Sequence, residues 1–333
     1  MTQATSPNQS KIIVDGIKKY FGKIRALDDI TLKVETGAIT AILGPNGAGK
    51  TTLIRILTTL LMPDRGEATV GGFSIRRDAK NLRTIIGLAG QSAAVDEMLT
   101  GIENLEMAGY LYHLNRREVK RRARELLKKF GLEEAARRTA KNYSGGMRRR
   151  LDLAVSLIGD PKILFLDEPT AGLDPRSRNI LWEILKKLVK DGITILLTTQ
   201  YLDEADRLAD KIIIIDHGTL IAEGTPRELK SRFGEDVLEI NVLNPEMRSQ
   251  ALEALKGLEA QEPIFIEDTN LITVPVKGNT AALVEVVRKL DAAGVSIENI
   301  VIRKPTLDDV FLALTGHGAE HKRENQSHTK PQA

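Results

Sequence analysis

The segment GPNGAGKTT, which spans Gly44–Thr52, has the composition of a loop that binds phosphate groups. Its glycines allow backbone N–H groups to curl around an anion, and Lys50 is spaced to reach the β- and γ-phosphates of a nucleotide. Thr51 carries a hydroxyl that can coordinate Mg²⁺. We therefore predict that a nucleotide binds to the residues of this loop, which are Gly44, Pro45, Asn46, Gly47, Ala48, Gly49, Lys50, Thr51 and Thr52.

Two adjacent carboxylates follow the apolar residues of the segment ILFLDEPT. Asp167 is placed to hold Mg²⁺ beside a bound nucleotide, and Glu168 is the candidate general base that activates water. A purely structural alternative is that Glu168 caps the turn after the strand. Because carboxylates are seldom buried without a partner, the pair implies a cation and predicts magnesium-dependent hydrolysis.

Short apolar runs rich in β-branched residues alternate with helical patterns over the first two-thirds of the chain. This alternation is typical of an α/β domain with a largely parallel sheet. The phosphate loop follows one such run and opens a helix, which we expect to reach Leu61 before Met62 and Pro63 stop it. The runs that we interpret as buried strands end at Leu43, Asp167, Thr199 and Asp216.

The composition excludes several classes of chemistry. The chain of 333 residues contains no cysteine, so disulfides, thiolate catalysis and cysteine zinc sites are excluded. No apolar run approaches the roughly 20 residues needed to cross a bilayer. Residues 1–10 lack the basic start and apolar core of a signal peptide, and we expect a disordered tail there. No Asn-Lys-x-Asp segment for guanine recognition is present, which favours ATP as the nucleotide.

The region of about residues 92–160 is rich in basic residues and predicts a helical insertion in the α/β domain. Solvated helix faces are the simplest explanation of its charge. Within this region Ser144 is a favourable N-cap and is followed by Gly145 and Gly146. The segment therefore predicts a second helix N-terminus that can bind an anion, with an ordinary capped helix as the alternative.

The order of these features resembles that of the nucleotide-binding subunits of ABC transporters. The resemblance covers about residues 11–229 and includes the P-loop, a glutamine after a strand, Ser-Gly-Gly, Asp-Glu and AGLD. It implies that Gln91 senses Mg²⁺ and the membrane partner, and that Asp174 is the D-loop aspartate. It also implies that Phe21 stacks on the adenine, although Tyr20 is an adjacent aromatic competitor.

The same resemblance implies a homodimer that encloses ATP between its two chains. In ABC ATPases the subunits join head to tail, so each site combines the P-loop of one chain with the signature of the other. The residues expected to contact ATP in trans are Ser144, Gly145, Gly146 and Asp174. Tyr143 and Met147 depart from the usual residues on either side of the Ser-Gly-Gly signature.

Gln200 stands where the family usually has a histidine at the end of a strand. A glutamine amide can donate a hydrogen bond to the γ-phosphate but cannot exchange a proton near neutral pH. We therefore predict that Gln200 contacts the γ-phosphate and that Glu168 alone serves as general base. Capping of the helix that begins with YLDEAD is the alternative role for Gln200.

A narrower resemblance involves the segments YSGGMRRRLD, LLTTQYLDEAD and LDDVFLALTGH. Together they are similar to the ATP-binding subunits of the daunorubicin/doxorubicin resistance type of exporter. This resemblance implies ATP and Mg²⁺ as cofactors and a separate integral-membrane permease as partner. The chain would then lie at the cytoplasmic face of the membrane and power efflux of a drug or other amphipathic molecule.

The C-terminal third predicts a separate α+β domain. From residue 236 to 315 the patterns follow the order β-α-β-β-α-β, which is that of the ferredoxin-like motif. Pro275 suggests an edge strand, because proline cannot donate a hydrogen bond to a neighbour. We place the ATPase domain at residues 11–232 and expect a disordered tail at residues 316–333.

Two other functions remain open from the sequence. A soluble ABC ATPase could act on nucleic acid through the basic insertion, but that insertion lacks the interleaved aromatic residues of a single-strand reader. We therefore expect no nucleic-acid partner. A regulatory module could hold ATP without turnover, although such a module would not need Glu168.

Overall fold

The computed structural model describes residues 10–90, 94–233, 236–256, 263–266, 271–276 and 280–315. The chain divides into two compact units, residues 1–223 and 224–333. This division places residues 224–232 in the C-terminal unit, which differs from the boundary expected from the sequence. The expected tails lie outside the described residues, except for Ser10, which is the first residue of a strand.

The N-terminal unit is built from two sheets and the helices that surround them. Its strands are β1 (Ser10–Phe21), β2 (Ile24–Glu35), β3 (Ile39–Leu43), β4 (Arg65–Val70), β5 (Phe73–Ser74), β6 (Ile86–Ala89), β7 (Ile163–Asp167), β8 (Thr194–Thr199), β9 (Lys211–Asp216) and β10 (Thr219–Gly224). Its helices are α1 (Lys50–Leu57), α2 (Ala79–Arg83), α3 (Gly101–Leu111), α4 (Arg116–Lys129), α5 (Gly145–Ser156), α6 (Pro175–Lys190) and α7 (Leu202–Leu208).

The larger sheet has the strand order β10-β9-β3-β8-β7-β6, and its strands β9, β3, β8, β7 and β6 run parallel. Every residue of β3, β7 and β8 is buried, as expected for a parallel sheet that is covered on both faces. The predicted α/β fold class is confirmed. The smaller sheet has the order β2-β1-β4-β5, and its β1–β2 and β1–β4 pairs are antiparallel.

The register of the parallel sheet brings three strand ends together. Leu43 at the end of β3 pairs with Thr199 of β8, and Asp167 at the end of β7 pairs with Thr198. The loops that follow these strands therefore start at the same edge of the sheet. In open α/β sheets, ligands bind at this carboxyl edge.

Helix α1 is shorter than the sequence predicted. It ends at Leu57, and the expectation that it continues to Leu61 is wrong. Thr58 donates its hydroxyl to the carbonyl of Ile54 at 2.8 Å, and Thr59 adopts a φ of 63° that ends the helical path. Leu60 is consequently 63% exposed and does not join the buried face of the helix.

Three helices, α3, α4 and α5, lie between β6 and β7 along the chain. Each begins at a residue whose side chain accepts a hydrogen bond from the first turn: Thr100, Asn115 and Ser144. Glu103 completes a capping box with Thr100. Two of the eight basic residues of α4 are paired within the helix, because Arg121 and Arg122 both contact Glu118.

The C-terminal unit has a four-stranded sheet with the order β12-β13-β11-β14, which is the ferredoxin-like arrangement predicted from the sequence. Its neighbouring strands pair antiparallel. Its helix α8 packs against α11. The elements are α8 (Pro226–Phe233), β11 (Asp236–Val242), α9 (Arg248–Leu255), β12 (Ile264–Ile266), β13 (Leu271–Val276), α10 (Thr280–Ala292), β14 (Ile297–Arg303) and α11 (Leu307–Thr315).

Pro275 does not mark an edge strand, and that prediction is wrong. Strand β13 lies between β12 and β11, and Pro275 is opposite Val237 of β11. The proline fits because β12 pairs with β13 only from Leu271 to Thr273. On the side of β12, the described pairing therefore ends before the residue that cannot donate a hydrogen bond.

Candidate ATP-binding site

The phosphate loop connects β3 to α1 and depends on glycine at two positions. A side chain at Gly44 would place its Cβ 2.2 Å from the carbonyl oxygen of Ile215, which leaves no room for it. Gly49 has a φ of 103°, and its Cβ would lie 2.4 Å from the carbonyl oxygen of Ala26. Both glycines allow the loop to pass close to neighbouring backbone, while Asn46 and Gly47 remain exposed.

Lys50 is the first residue of α1 and is only 4% exposed. Its Nζ donates hydrogen bonds to the carbonyl oxygens of Gly44 at 2.7 Å and Pro45 at 2.9 Å, and it lies 3.6 Å from Glu168 Oε1. Burial lowers the pKa of Lys50, and the charges of Glu168 and Asp167 oppose that shift. The ammonium group is thus held within the loop and beside the Glu168 carboxylate.

Asp167 accepts two hydrogen bonds on one oxygen. The hydroxyl of Thr198 donates to Oδ1 at 2.6 Å, and the hydroxyl of Thr51 donates to the same atom at 3.1 Å. These oxygens are the hard ligands that Mg²⁺ prefers, so Thr51 and Asp167 fit the predicted magnesium site. Within the described residues, no group of three or more His, Asp or Glu side chains is placed to hold a metal ion.

Glu168 follows β7 in an unusual backbone conformation. Its φ is 49°, in the left-handed region that costs a residue with a Cβ about 1 kcal/mol or more. Its N–H donates to the carbonyl oxygen of Thr198 at 3.1 Å and to the Thr198 hydroxyl at 3.0 Å. The turn directs the carboxylate into the cleft above the phosphate loop, where it faces Lys50.

The cleft has a volume of about 210 Å³. Beyond the phosphate loop and Glu168, its walls are formed by Ile24, Arg25 and Ala26 at the start of β2. Phe21 is not part of the lining; it is 49% exposed, with the ammonium of Lys19 at 5.5 Å from its ring centre. The contact of Phe21 with adenine stays a prediction, and the β2 residues were missed because no motif marks them.

The four residues predicted to act in trans lie at the starts of α5 and α6. Ser144 caps α5 and, like Gly145, is exposed. Gly146 packs against Ser177, and Asp174 accepts hydrogen bonds from the N–H of Ser177 at 2.9 Å and from its hydroxyl at 2.6 Å. These bonds lower the pKa of Asp174. Among the described contacts, none joins these residues to the phosphate loop of the same chain.

Gln91, the predicted sensor of Mg²⁺ and the membrane partner, lies outside the described residues. The residues on either side of 91–93 both contact α5: Gly90 through Arg149 at 2.8 Å, and Ala94 through Asp152 at 2.7 Å. No sequence motif predicted a role for Arg149 or Asp152. Their only signal was an arginine and an aspartate in the segment MRRRLD, which cannot be told from a solvated helix face.

Gln200 lies between β8 and α7. The N-cap of α7 is Tyr201, which makes no side-chain cap, and the N–H of Tyr201 donates to the hydroxyl of Thr199 at 3.0 Å. Gln200 therefore does not cap this helix. Among the described contacts the Gln200 side chain has no hydrogen bond, and its role at the γ-phosphate stays a prediction.

The chain matches two protein-family models. The ABC transporter family model matches residues 27–171, and the model of the DrrA1-3-like C-terminal domain matches residues 224–315. The chain is 50% identical to the daunorubicin resistance ATP-binding protein DrrA3 of Streptomyces coeruleorubidus, over 92% of this chain and 96% of that protein. It is 45% identical to the doxorubicin resistance ATP-binding protein DrrA of Mycobacterium tuberculosis H37Rv, over 91% and 93% of the two chains.

Two further similarities extend the comparison. The Nod factor export ATP-binding protein I of Rhizobium sp. (strain N33) is 37% identical over 93% of this chain and 99% of its own length. Among solved structures, a dimeric ATP-binding cassette bound to ADP and Pi after hydrolysis matches with a TM-score of 0.58 and 29% identity. That match covers 64% of this chain and 98% of the cassette.

These findings, together with the phosphate loop and the paired carboxylates, show that the chain belongs to the ABC transporter family and binds ATP as its nucleotide-binding subunit. Within that family it is of the daunorubicin/doxorubicin resistance type. The predicted class of enzyme, an ATPase coupled to transport, is confirmed. No helix in the described part of the chain is both long and apolar enough to span a bilayer.

Proposed function

We propose that the chain hydrolyses ATP to drive export of a drug or other amphipathic molecule through a separate membrane permease. The observation that carries this proposal is that Lys50, Thr51 and Glu168 line one cleft, and that Asp167 is hydrogen-bonded to Thr51 beside it. The names of the relatives add the class of cargo, since they include resistance to daunorubicin and doxorubicin.

The geometry supports a defined division of labour. Phosphate oxygens would replace the carbonyls of Gly44 and Pro45 as acceptors for the Lys50 ammonium. Thr51 and Asp167 would hold Mg²⁺, which when bound neutralises charge on the phosphates. The Glu168 carboxylate would orient the attacking water and accept its proton, because it faces the cleft from a fixed turn.

The active form under this proposal is a homodimer with two composite sites. Ser144 and Gly145 are exposed at the start of α5, so they are accessible to the nucleotide of a second chain. The start of a helix also presents free N–H groups that favour an anion. The similar cassette with ADP and Pi is dimeric, which supports the same arrangement here.

The permease would bind beside the helical region. Met98, Met107 and Leu111, on α3 and the loop before it, are 74%, 37% and 73% exposed. Met107 and Leu111 are four residues apart and share one face of α3, and exposed apolar side chains that are neighbours favour a protein partner. Docking there would hold the chain at the cytoplasmic face of the membrane without a membrane span of its own.

Reconstitution tests this function directly. The chain and a permease sought among the neighbouring genes would be placed in lipid vesicles and supplied with ATP, Mg²⁺ and doxorubicin. We expect ATP-dependent movement of doxorubicin with the wild-type chain and none with Lys50→Ala. Transport that persists with Lys50→Ala would overturn the proposal. So would an ATPase rate that is the same with and without the permease and doxorubicin.

A further inference from the structure

Arg149 of α5 reaches the backbone that carries both active-site carboxylates. Its guanidinium donates to carbonyl oxygens at the end of β7 and just before residue 91, and to one carboxylate of its own helix. The acceptors and distances are Gly90 O at 2.8 Å, Pro169 O at 2.8 Å, Asp167 O at 3.2 Å, Glu168 O at 3.2 Å and Asp152 Oδ2 at 3.2 Å.

This arrangement is unlike that of a surface arginine. The Arg149 side chain is 13% exposed, and that of Asp152 is 1% exposed. Burial lowers the pKa of Arg149, while the charge of Asp152 opposes the shift. Arginine suits this position because its planar fork holds several donors in fixed directions, whereas a lysine ammonium has only three.

The contact with Glu168 bears on a strained residue. Glu168 has a φ of 49°, which persists only where the surroundings hold the peptide groups on both sides. Thr198 holds its N–H, and its carbonyl oxygen accepts from the guanidinium of Arg149 at 3.2 Å and from the N–H of Ala171 at 3.2 Å. Without Arg149, the carbonyl oxygen of this strained residue would lose one of these two hydrogen bonds and its link to α5.

We propose that Arg149 is a positioning residue for ATP hydrolysis, which holds the Glu168 turn and couples it to the helix that begins at Ser144. This inference rests on the proposed function, because it takes Glu168 as the general base. In the composite dimer, Ser144 meets the nucleotide of the other chain. Arg149 therefore links the signature helix that contacts one ATP to the base that acts on the other.

Asp152 provides the second half of this connection. Its Oδ1 accepts from the N–H of Ala94 at 2.7 Å, while Arg149 binds the carbonyl of Gly90. The two side chains bind each other and thereby fix the residues on both sides of 91–93. A shift of α5 would thus be passed to the Glu168 turn and to Gly90 and Ala94 together.

The test compares Arg149→Met with Arg149→Lys in the full-length chain. Misplacement of a reacting group by about 1 Å can cost on the order of 100-fold in rate. We expect kcat for Mg-ATP to fall about 10- to 100-fold in Arg149→Met while KM changes less than about twofold. Arg149→Lys should recover part of kcat, because its ammonium can still bind some of the carbonyls.

Arg122→Met is the matched control. Arg122 is 22% exposed and binds the carbonyl of Ile158 at 3.0 Å and the carboxylate of Glu118 at 2.6 Å, away from the cleft. The Arg122→Met variant therefore also loses hydrogen bonds to a carboxylate and a backbone carbonyl, but none of them is at the site. We expect its kcat and KM to match those of the wild type.

Amide hydrogen exchange adds a readout that does not depend on turnover. Peptides that cover residues 165–170 should exchange faster in Arg149→Met than in the wild type, and they should not change in Arg122→Met. Equal kcat in Arg149→Met and wild type, or equal losses of kcat in Arg149→Met and Arg122→Met, would overturn the inference. If Arg149→Met does not fold, kcat is measured in Arg149→Lys and Asp152→Asn instead. A wild-type kcat in both variants would also overturn the inference.

Failure of this inference is distinct from failure of the proposed function. The latter is read from Lys50→Ala, which must lose activity whatever Arg149 does. Wild-type activity that depends on Lys50 but not on Arg149 would reject only the positioning role. Activity that depends on neither residue would reject both.

Discussion

At the scale of single residues, the role of Glu168 as general base can be tested directly by substitution. Glu168→Gln keeps the size of the side chain but removes the carboxylate that accepts a proton. We expect steady-state hydrolysis to fall about 100- to 10,000-fold, the range for loss of a general base, while the Kd for ATP stays within about twofold. Glu183→Gln, on an exposed part of α6, is the control and should leave turnover unchanged. Comparable turnover in Glu168→Gln and wild type would instead favour a regulatory ATP-binding module.

The amide of Gln200 is the basis of a second prediction about a single residue. Because its amide does not titrate, ATPase activity should show no inflection near pH 6.5 that arises from this position. Gln200→Ala should slow hydrolysis more than it weakens ATP binding, since one donor to the γ-phosphate is lost. Gln200→His should introduce an inflection near pH 6.5 in the profile of kcat. The absence of any effect of Gln200→Ala on turnover would remove the residue from the site.

At the scale of elements, Gly145 and Gly146 separate packing from binding at the start of α5. A Cβ at Gly146 would lie 2.3 Å from Ser177 Oγ and 2.7 Å from Ser177 Cβ, whereas a Cβ at Gly145 would meet nothing within 4 Å. Gly146→Ala should therefore destabilise the fold by about 1–3 kcal/mol through overpacking. Gly145→Ala should be neutral or stabilise the helix by up to about 1 kcal/mol. Thermal unfolding of the two variants measures the difference, and equal melting temperatures would contradict the close contact with α6.

Arg303 ties β14 to the start of α11 in the C-terminal unit. Its two terminal nitrogens donate to Asp309 at 2.6 and 2.8 Å, and its Nε donates to Glu239 at 2.6 Å. Burial alone would raise the pKa of Asp309, but the hydrogen bonds from Arg303 and Thr306 outweigh it, so the pKa is lowered. This lowered pKa contributes stability that is present above about pH 4, the unfolded value, and is lost as pH falls through the folded value.

The Arg303→Met variant should therefore lose stability mainly at neutral pH. We expect a loss of about 3 kcal/mol at pH 7, at the low end for a buried ion pair because Arg303 is 26% exposed. The deficit should narrow below about pH 4, where the wild type also loses the pair. The loss of stability at each pH would be measured by urea titration, with pulsed hydrogen exchange of peptides that cover residues 297–315. Lys304→Met, at a 79% exposed side chain, is the control and should cost less than about 1 kcal/mol. A deficit that stays constant with pH would contradict the role of Asp309.

The extent to which the sequence predicted this molecule also differs between elements. Parallel strands with every residue buried leave an unbroken apolar pattern, so β3, β7 and β8 and the residues after them could be found. The partners of those residues could not. Thr198 reaches Asp167 only through the register of β7 and β8, and Arg149 reaches Glu168 only through the docking of α5. Neither depends on a local pattern. The end of α1 was missed because the Thr58 hydroxyl and the turn at Thr59 outweighed the apolar spacing.

At the scale of the whole molecule, the proposed dimer has sites that a single chain cannot complete. Each complete site would take Lys50 and Glu168 from one chain and Ser144 from the other. A chain with Lys50→Ala and a chain with Ser144→Arg should each be inactive as homodimers, since every site then lacks one part. Ser144 is exposed, so the Ser144→Arg substitution should cost the fold only a helix cap, about 1 kcal/mol.

A one-to-one mixture of these two inactive chains should regain activity. In the mixed dimer one site combines both substitutions, while the other joins an intact P-loop to an intact signature and is complete. Random pairing makes about half of the dimers mixed, so about a quarter of wild-type turnover is expected if the sites act independently. Lys50→Ala mixed with Glu168→Gln is the control, because each mixed dimer then has a defect on the P-loop side of both sites and should stay inactive. If each site were instead completed within one chain, neither mixture would regain turnover, and the head-to-tail dimer would be excluded as the active form.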